Sequence, residues 1–198
     1  MTARWYGDRA LLLDTASPLG LAAAVVLAAP VGLVEVVPGA ASVLVSFGGS
    51  GAAAAALAGL LSLQPIETAA AAVEVVLPVV YDGTDLGEVA VATGLSAEQV
   101  VARHSAGRYV VAVTGFTPGF AYLTGLDPVL HLPRRAEPRT VVPAGSVAVA
   151  AGWSGVYPRA SPGGWHLLGR TATVLWDLDR DPPALLRPGV RVRFEPVR

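Results

Sequence analysis

The chain has 198 residues, 53% of them hydrophobic and 15% charged, a balance that excludes disorder as its main state and allows one large domain or two small ones. It has no cysteine, and its 14 basic residues are all arginine, so thiol nucleophiles, zinc thiolates, disulfides, Schiff-base lysines and phosphate loops of the G-x-x-x-x-G-K-S/T type are excluded. The net charge of -1 hides a split: residues 1–100 carry two Arg against nine acids, and residues 101–198 carry twelve Arg against six, so the second half is the one suited to anionic groups.

In chain order, ALLLD (10–14) predicts a strand, PLGLAAAVVLAA (18–29) an apolar helix starting after Ser17, and GLVEVV (32–37) and SVLVSF (42–47) a hairpin turning at Pro38 and Gly39. The apolar run Leu19–Val34 raises a membrane span or signal peptide, but Pro30 and Gly32 break it and no basic start precedes it, so a cytoplasmic protein is expected. The Ala-rich stretch 49–64 predicts a helix with Ser50 as N-cap, and AAVEVVLPVVY (71–81) a strand that Pro78 interrupts or moves to an edge. Strand, helix, strand, strand, helix, strand is the order of a split βαβ sandwich, expected here over residues 1–76. This segment offers almost no chemistry, and reads as a scaffold or as a docking sheet.

A second domain is expected over 77–198. SAEQVVARHSAG predicts a helix capped by Ser96 with Glu98 close behind and His104 near its end; RYVVAVTGF (108–116) predicts a buried strand. From there short apolar runs alternate with Gly and Pro punctuation, a texture that predicts a closed antiparallel barrel. The class is therefore α+β.

Unusual residues concentrate in three connectors: GFTPGFAYLTG (115–125), PRTVVPAGSVAVAAGWSGVYP (138–158) and SPGGWHLLGRT (161–171). The first leaves Phe116, Phe120 and Tyr122 in a segment that its glycines and proline keep out of ordinary helix, so it is either a core plug or a pocket lining. Convergence of the three at one barrel mouth would make a pocket. Arg139 and Arg170 are candidates for carboxylate recognition through the guanidinium fork, or for structural ion pairs. His104 and His166 are the proton-shuttle candidates, with a packing histidine as the alternative at position 104. Ser146 and Ser154 lack a nucleophile elbow and read as turn-forming or ligand-bonding hydroxyls, while Tyr157, Trp153 and Trp165 are barrel core or pocket wall. No H-x-H or H-E-x-x-H spacing suggests a metal. Arg134–Arg135 and Arg191–Arg193 read as solvated positive surface, too sparse for nucleic acid.

GFTPGFAYLTGLDP, PRTVVPAGSVAVA, GVYPRASPGGWHLLGRT and the earlier YGDRALLLD closely resemble the family of the 5-oxoprolinase B subunit, also called allophanate hydrolase subunit 1, which includes an inhibitor of a sporulation histidine kinase. The resemblance runs from about Tyr6 to Arg193. It implies a ferredoxin-like N-terminal domain followed by a cyclophilin-like β-barrel, and a role beside the C and A subunits in ATP-dependent opening of the 5-oxoproline lactam to glutamate. ATP would then be used by the complex, with this chain supplying a pocket for a small carboxylate. The alternatives it carries are a component of urea carboxylase or allophanate hydrolase type and a non-catalytic kinase-binding module; a prolyl isomerase follows from fold analogy alone. The family pattern singles out His104, Phe120, Tyr122, Arg139, Ser146, Tyr157, Trp165 and Arg170. This chain differs from it at Trp153 and Ser154, where the pattern has Gln and Thr.

Overall fold

The computed structural model describes residues 1–66 and 73–198, and the chain divides into two compact units, Met1–Ala69 and Ala70–Arg198.

In the first unit strands β1 (Thr2–Tyr6), β2 (Ala10–Asp14), β3 (Leu33–Pro38) and β4 (Ser42–Phe47) form an antiparallel sheet in the order β1-β2-β4-β3, with helices α1 (Pro18–Ala28) and α2 (Ser50–Ser62) packed on it. Alternation along β4 buries Val43, Val45 and Phe47 beside Leu11 and Leu13 of β2 and Leu21, Val25 and Leu60 of the helices. The fourth strand differs from the one expected. The strand read at 71–81 is β5 (Glu74–Val79), which joins the sheet of the second unit; positions 71 and 72 lie outside the described residues. Its place in the first sheet is taken by β1, whose TARWY sequence is mostly exposed and polar enough to escape a search for apolar alternation.

The second unit is built on a seven-stranded sheet ordered β12-β9-β10-β7-β6-β13-β5. These are β12 (His166–Arg170), β9 (Ser146–Ala150), β10 (Trp153–Val156), β7 (Ala121–Thr124), β6 (Tyr109–Thr114) and β13 (Arg191–Pro196), all antiparallel to their neighbours except the parallel pair β13–β5. Paired hydrogen bonds between Val80 and Arg170, at 2.8 and 2.9 Å, tie one edge to the other and nearly close the sheet into a barrel. Pro78 is tolerated because β5 is an outer strand. Two further strands, β8 (Arg139–Val142) and β11 (Ser161–Gly163), pair with each other. Helices α3 (Leu86–Thr93) and α4 (Ala97–Ala106) complete the unit. The cap of α4 is a full capping box, with Ser96 paired to Gln99 rather than to the neighbouring Glu98. No helix among the described residues is long and apolar enough to cross a membrane; α1, inside the suspected apolar run, has 11 residues.

Candidate functional site

Strand β6 ends at Thr114, and the chain turns through Gly115–Gly119 before β7. Thr117 N–H donates to the Gly115 carbonyl at 2.8 Å, and Phe120 N–H to the Thr117 carbonyl at 3.0 Å. The turn sends Phe120 inward and leaves Phe116 59% exposed. Phe120 then serves as both plug and lining. Four rings meet it edge to face: Tyr122 at 5.0 Å, Tyr157 at 5.4 Å, and Phe116 and Trp165 at 5.6 Å between centroids. That geometry places positive ring edges on negative faces, the favoured arrangement for aromatic pairs.

A slot of about 80 Å³ opens among Phe116, Phe120, Tyr122, Tyr157 and Trp165, with Arg134, Pro162, Gly163 and Gly164 on its lining. Gly163 is required there: a Cβ at this position would run into the Tyr157 hydroxyl. Burial pushes the Tyr157 phenol above its ordinary pKa, while the nearby positive charge of Arg134 acts against it. Arg134 itself has no carboxylate within ion-pair distance among the described residues. The lining thus offers flat aromatic faces and one uncommitted guanidinium, with no carboxylate, imidazole or aliphatic hydroxyl. It is suited to holding a small ring that bears an anion, and the phenols of Tyr122 and Tyr157 are the titratable side chains of its lining besides Arg134.

The three connectors do converge, but not every residue predicted from them reaches the slot. Phe120, Tyr122, Tyr157 and Trp165 do. Trp153 stands behind it, its ring 5.8 Å from that of Tyr122. Arg139 is instead held by Asp85, one oxygen accepting from its Nη2 at 2.5 Å, and Arg170 pairs with Asp82 at 2.8 Å on the surface. Ser146 donates to the Pro143 carbonyl at 2.8 Å and serves its turn.

His104 is fully buried, and its ring lies against Tyr81, Tyr109 and Phe194. Its Nδ1 is 2.8 Å from the Tyr81 hydroxyl and its Nε2 2.8 Å from Ser154 Oγ, which in turn lies 3.4 Å from the Ala148 carbonyl. One tautomer satisfies the whole chain: Tyr81 donates to Nδ1, Nε2–H donates to Ser154, and Ser154 donates to Ala148. Burial pushes the His104 pKa down to about 3, so the ring is neutral. With no solvent contact and both ring nitrogens engaged, His104 and Ser154 stand in the core and outside the lining of the slot.

His166 is buried beside a second polar cluster. Its Nε2–H donates to the Pro133 carbonyl at 2.9 Å, and its unpartnered Nδ1 lies 4.0 Å from Glu88. Asp85 organises this cluster, accepting from Arg139, from Arg135 at 3.1 Å and from the Leu167 N–H at 2.7 Å. Burial acts to raise its pKa, but the Arg139 hydrogen bond, the Leu167 amide and the adjacent positive charges outweigh burial and hold it below the usual carboxylate value. Arg135 also reaches Glu88 at 2.6 Å. Among the described residues no group of three or more His, Cys, Asp or Glu is placed to hold a metal ion.

Sequence reasoning missed Asp85 and Glu88 and assigned Arg134 and Arg135 to solvated positive surface, whereas Arg134 lines the slot and Arg135 is paired with both acids. The signal for the acids was their density, three of them within Asp82–Glu88. For Arg134 it was position, five residues before Arg139 and close to the start of the second connector.

Residues 1–186 match the family model described as "Carboxyltransferase domain, subdomain C and D". Over 125 residues, 62% of the chain, the sequence is 55% identical to the B subunit of 5-oxoprolinase from Escherichia coli O157:H7, and the match spans 57% of that relative's length. The crystal structure of TTHA0988 is similar with a TM-score of 0.80 and 40% identity, over 96% of this chain and 40% of that one. The urea carboxylase of Kluyveromyces lactis gives a TM-score of 0.77 over the whole of this chain and 22% of its own, at 24% identity, a likeness of fold alone. The chain therefore belongs to the carboxyltransferase subdomain C and D family, among whose members it is similar to the B subunit of 5-oxoprolinase.

Proposed function

We propose that this chain is the B-type component of a heteromeric 5-oxoprolinase, acting with the A and C subunits in ATP-dependent opening of the 5-oxoproline lactam. The observation that carries this reading is the slot: aromatic walls, a guanidinium at Arg134 with no ion-pair partner among the described residues, and no carboxylate, imidazole or aliphatic hydroxyl in its lining. Such a site positions a ring carboxylate and leaves the chemistry to another polypeptide. The similarity to the 5-oxoprolinase B subunit supports the choice of ring.

In this reading the lactam ring lies against Phe120 and Trp165, and its carboxylate meets Arg134 rather than Arg139 or Arg170. ATP is handled by the partner subunits, since this chain has no lysine and no phosphate loop. The first unit is a ferredoxin-like module, the second a cyclophilin-like barrel, and the complex works in the cytoplasm. A second reading is that the slot takes a ureide such as allophanate, an anion-bearing planar group that the same lining would suit.

The test is reconstitution. The A and C subunits are assayed for ATP-coupled 5-oxoproline turnover with and without this chain, and allophanate is offered in parallel. The reading predicts turnover of 5-oxoproline that requires the chain; equal turnover in its absence overturns it, and turnover of allophanate alone selects the second reading.

A further inference from the structure

Against the same 115–119 turn lies a larger groove of about 360 Å³, lined by Thr114–Gly119 together with Trp176, Leu186 and Arg187 among others. Phe116 lines both recesses. Among the described residues its one close ring contact is with Phe120, and more than half of its surface faces solvent. Its backbone sits at φ +68°, a left-handed conformation in which a bulky side chain is strained. The next residue is under-satisfied as well: Thr117 Oγ1 is buried without a hydrogen-bond partner. Two unrelieved costs in adjacent residues mark a segment that packing alone does not hold in place.

The sizes sharpen the point. The slot of about 80 Å³ holds a small ring at most, against the roughly 300 Å³ at which sites for drug-sized ligands begin. The groove has the volume, plus its own guanidinium at Arg187, which has no carboxylate within ion-pair distance among the described residues. Trp176 is its wall and packs against Gly119, where a Cβ would lie 2.8 Å from that of Trp176. Phe116 is the residue common to both recesses, and it is exposed and strained.

We propose that Phe116 is a movable, specificity-determining partition, and that the complete ligand site is slot and groove joined, fitted to an elongated ligand with a flat ring at the Arg134 end and a second anionic group at the Arg187 end. This goes beyond the lactam reading, which uses the slot alone, and rests on the slot being a ligand site. With the ring in place, only a small ring fits the slot; with it displaced, the longer dianion spans both arginines. The wild-type protein binds such a ligand with an affinity reduced by the fraction of time the partition is open.

The test uses the full chain and two probes, benzoate and the elongated dianion biphenyl-4,4′-dicarboxylate, titrated by calorimetry. Phe116→Gly and Phe116→Asn both remove the ring and both suit a left-handed backbone, so each preserves the turn. Each is expected to bind the biphenyl at least tenfold more tightly than the wild type. Adding Arg187→Ala is expected to reverse about tenfold of that gain, and to leave benzoate binding unchanged; Arg134→Ala weakens both probes. Biphenyl affinity in both Phe116 variants no higher than in the wild type, or indifferent to Arg187→Ala, overturns the proposal. Failure of 5-oxoproline to displace the probe, with these shifts intact, sinks the lactam assignment and leaves the partition standing.

Discussion

His104 is a case of one residue type with two opposite meanings. Its position near a helix end leaves proton transfer and packing both open; in the fold its partners Tyr81 and Ser154, 23 and 50 positions away, seal it into the core. Because its folded pKa is depressed, the unfolded chain binds a proton that the native state refuses. Stability from this group is fully present above about pH 6.5 and is lost as pH falls toward 3, by up to about 1.4 kcal/mol per pH unit. Urea unfolding at pH 7 and pH 5 is expected to show this slope. In His104→Asn it is expected to flatten, with a stability loss at pH 7 of about 2–4 kcal/mol from the disrupted hydroxyl chain. A second residue-scale effect concerns Gly163. Replacement by Ala forces the Tyr157 ring out of the slot, and is expected to cost about 1–3 kcal/mol in thermal or urea unfolding and to abolish probe binding. The aromatic half of the site was legible at this scale because aromatics between glycines have few other uses. The charged half was not, since a guanidinium pairs with whichever carboxylate the fold brings to it, and Asp85 lies 54 positions before Arg139.

At the scale of elements, Asp85 at the start of α3 joins β8 through Arg139, β12 through the Leu167 amide, and the 133–138 connector through Arg135. This clamp fixes the connector that presents Arg134 to the slot, so Arg139 supports the site from behind. Asp85→Asn leaves two guanidinium groups without their shared anion. It is expected to lower stability by about 2–3 kcal/mol, the arginines being a quarter exposed, and to weaken benzoate binding through the displaced Arg134, both read in one titration series. Strand identities were largely legible from alternation and punctuation, including the buried strand that leads into Phe116 and the outer position forced by Pro78. The pairing of β5 was not. Its register with β13 joins Glu74 to Arg191 across 117 positions, and local pattern contains nothing of that choice, while exposed β1 gave too weak a signal to claim the vacant place.

For the whole molecule, the uneven charge has a structural counterpart. The second half, with twelve arginines and six acids, commits Arg103, Arg135, Arg139, Arg170 and Arg180 to carboxylates and leaves Arg134 and Arg187 free at the two recesses among the described residues. In the proposed reading the slot holds the substrate and another polypeptide supplies the reaction. The most direct measurement is therefore kcat/KM for 5-oxoproline in the reconstituted three-component complex carrying Arg134→Ala. A fall of about ten- to a hundredfold is expected, consistent with loss of a charge-assisted contact to the substrate carboxylate. Turnover by Arg134→Ala with unchanged kcat and KM would contradict the account.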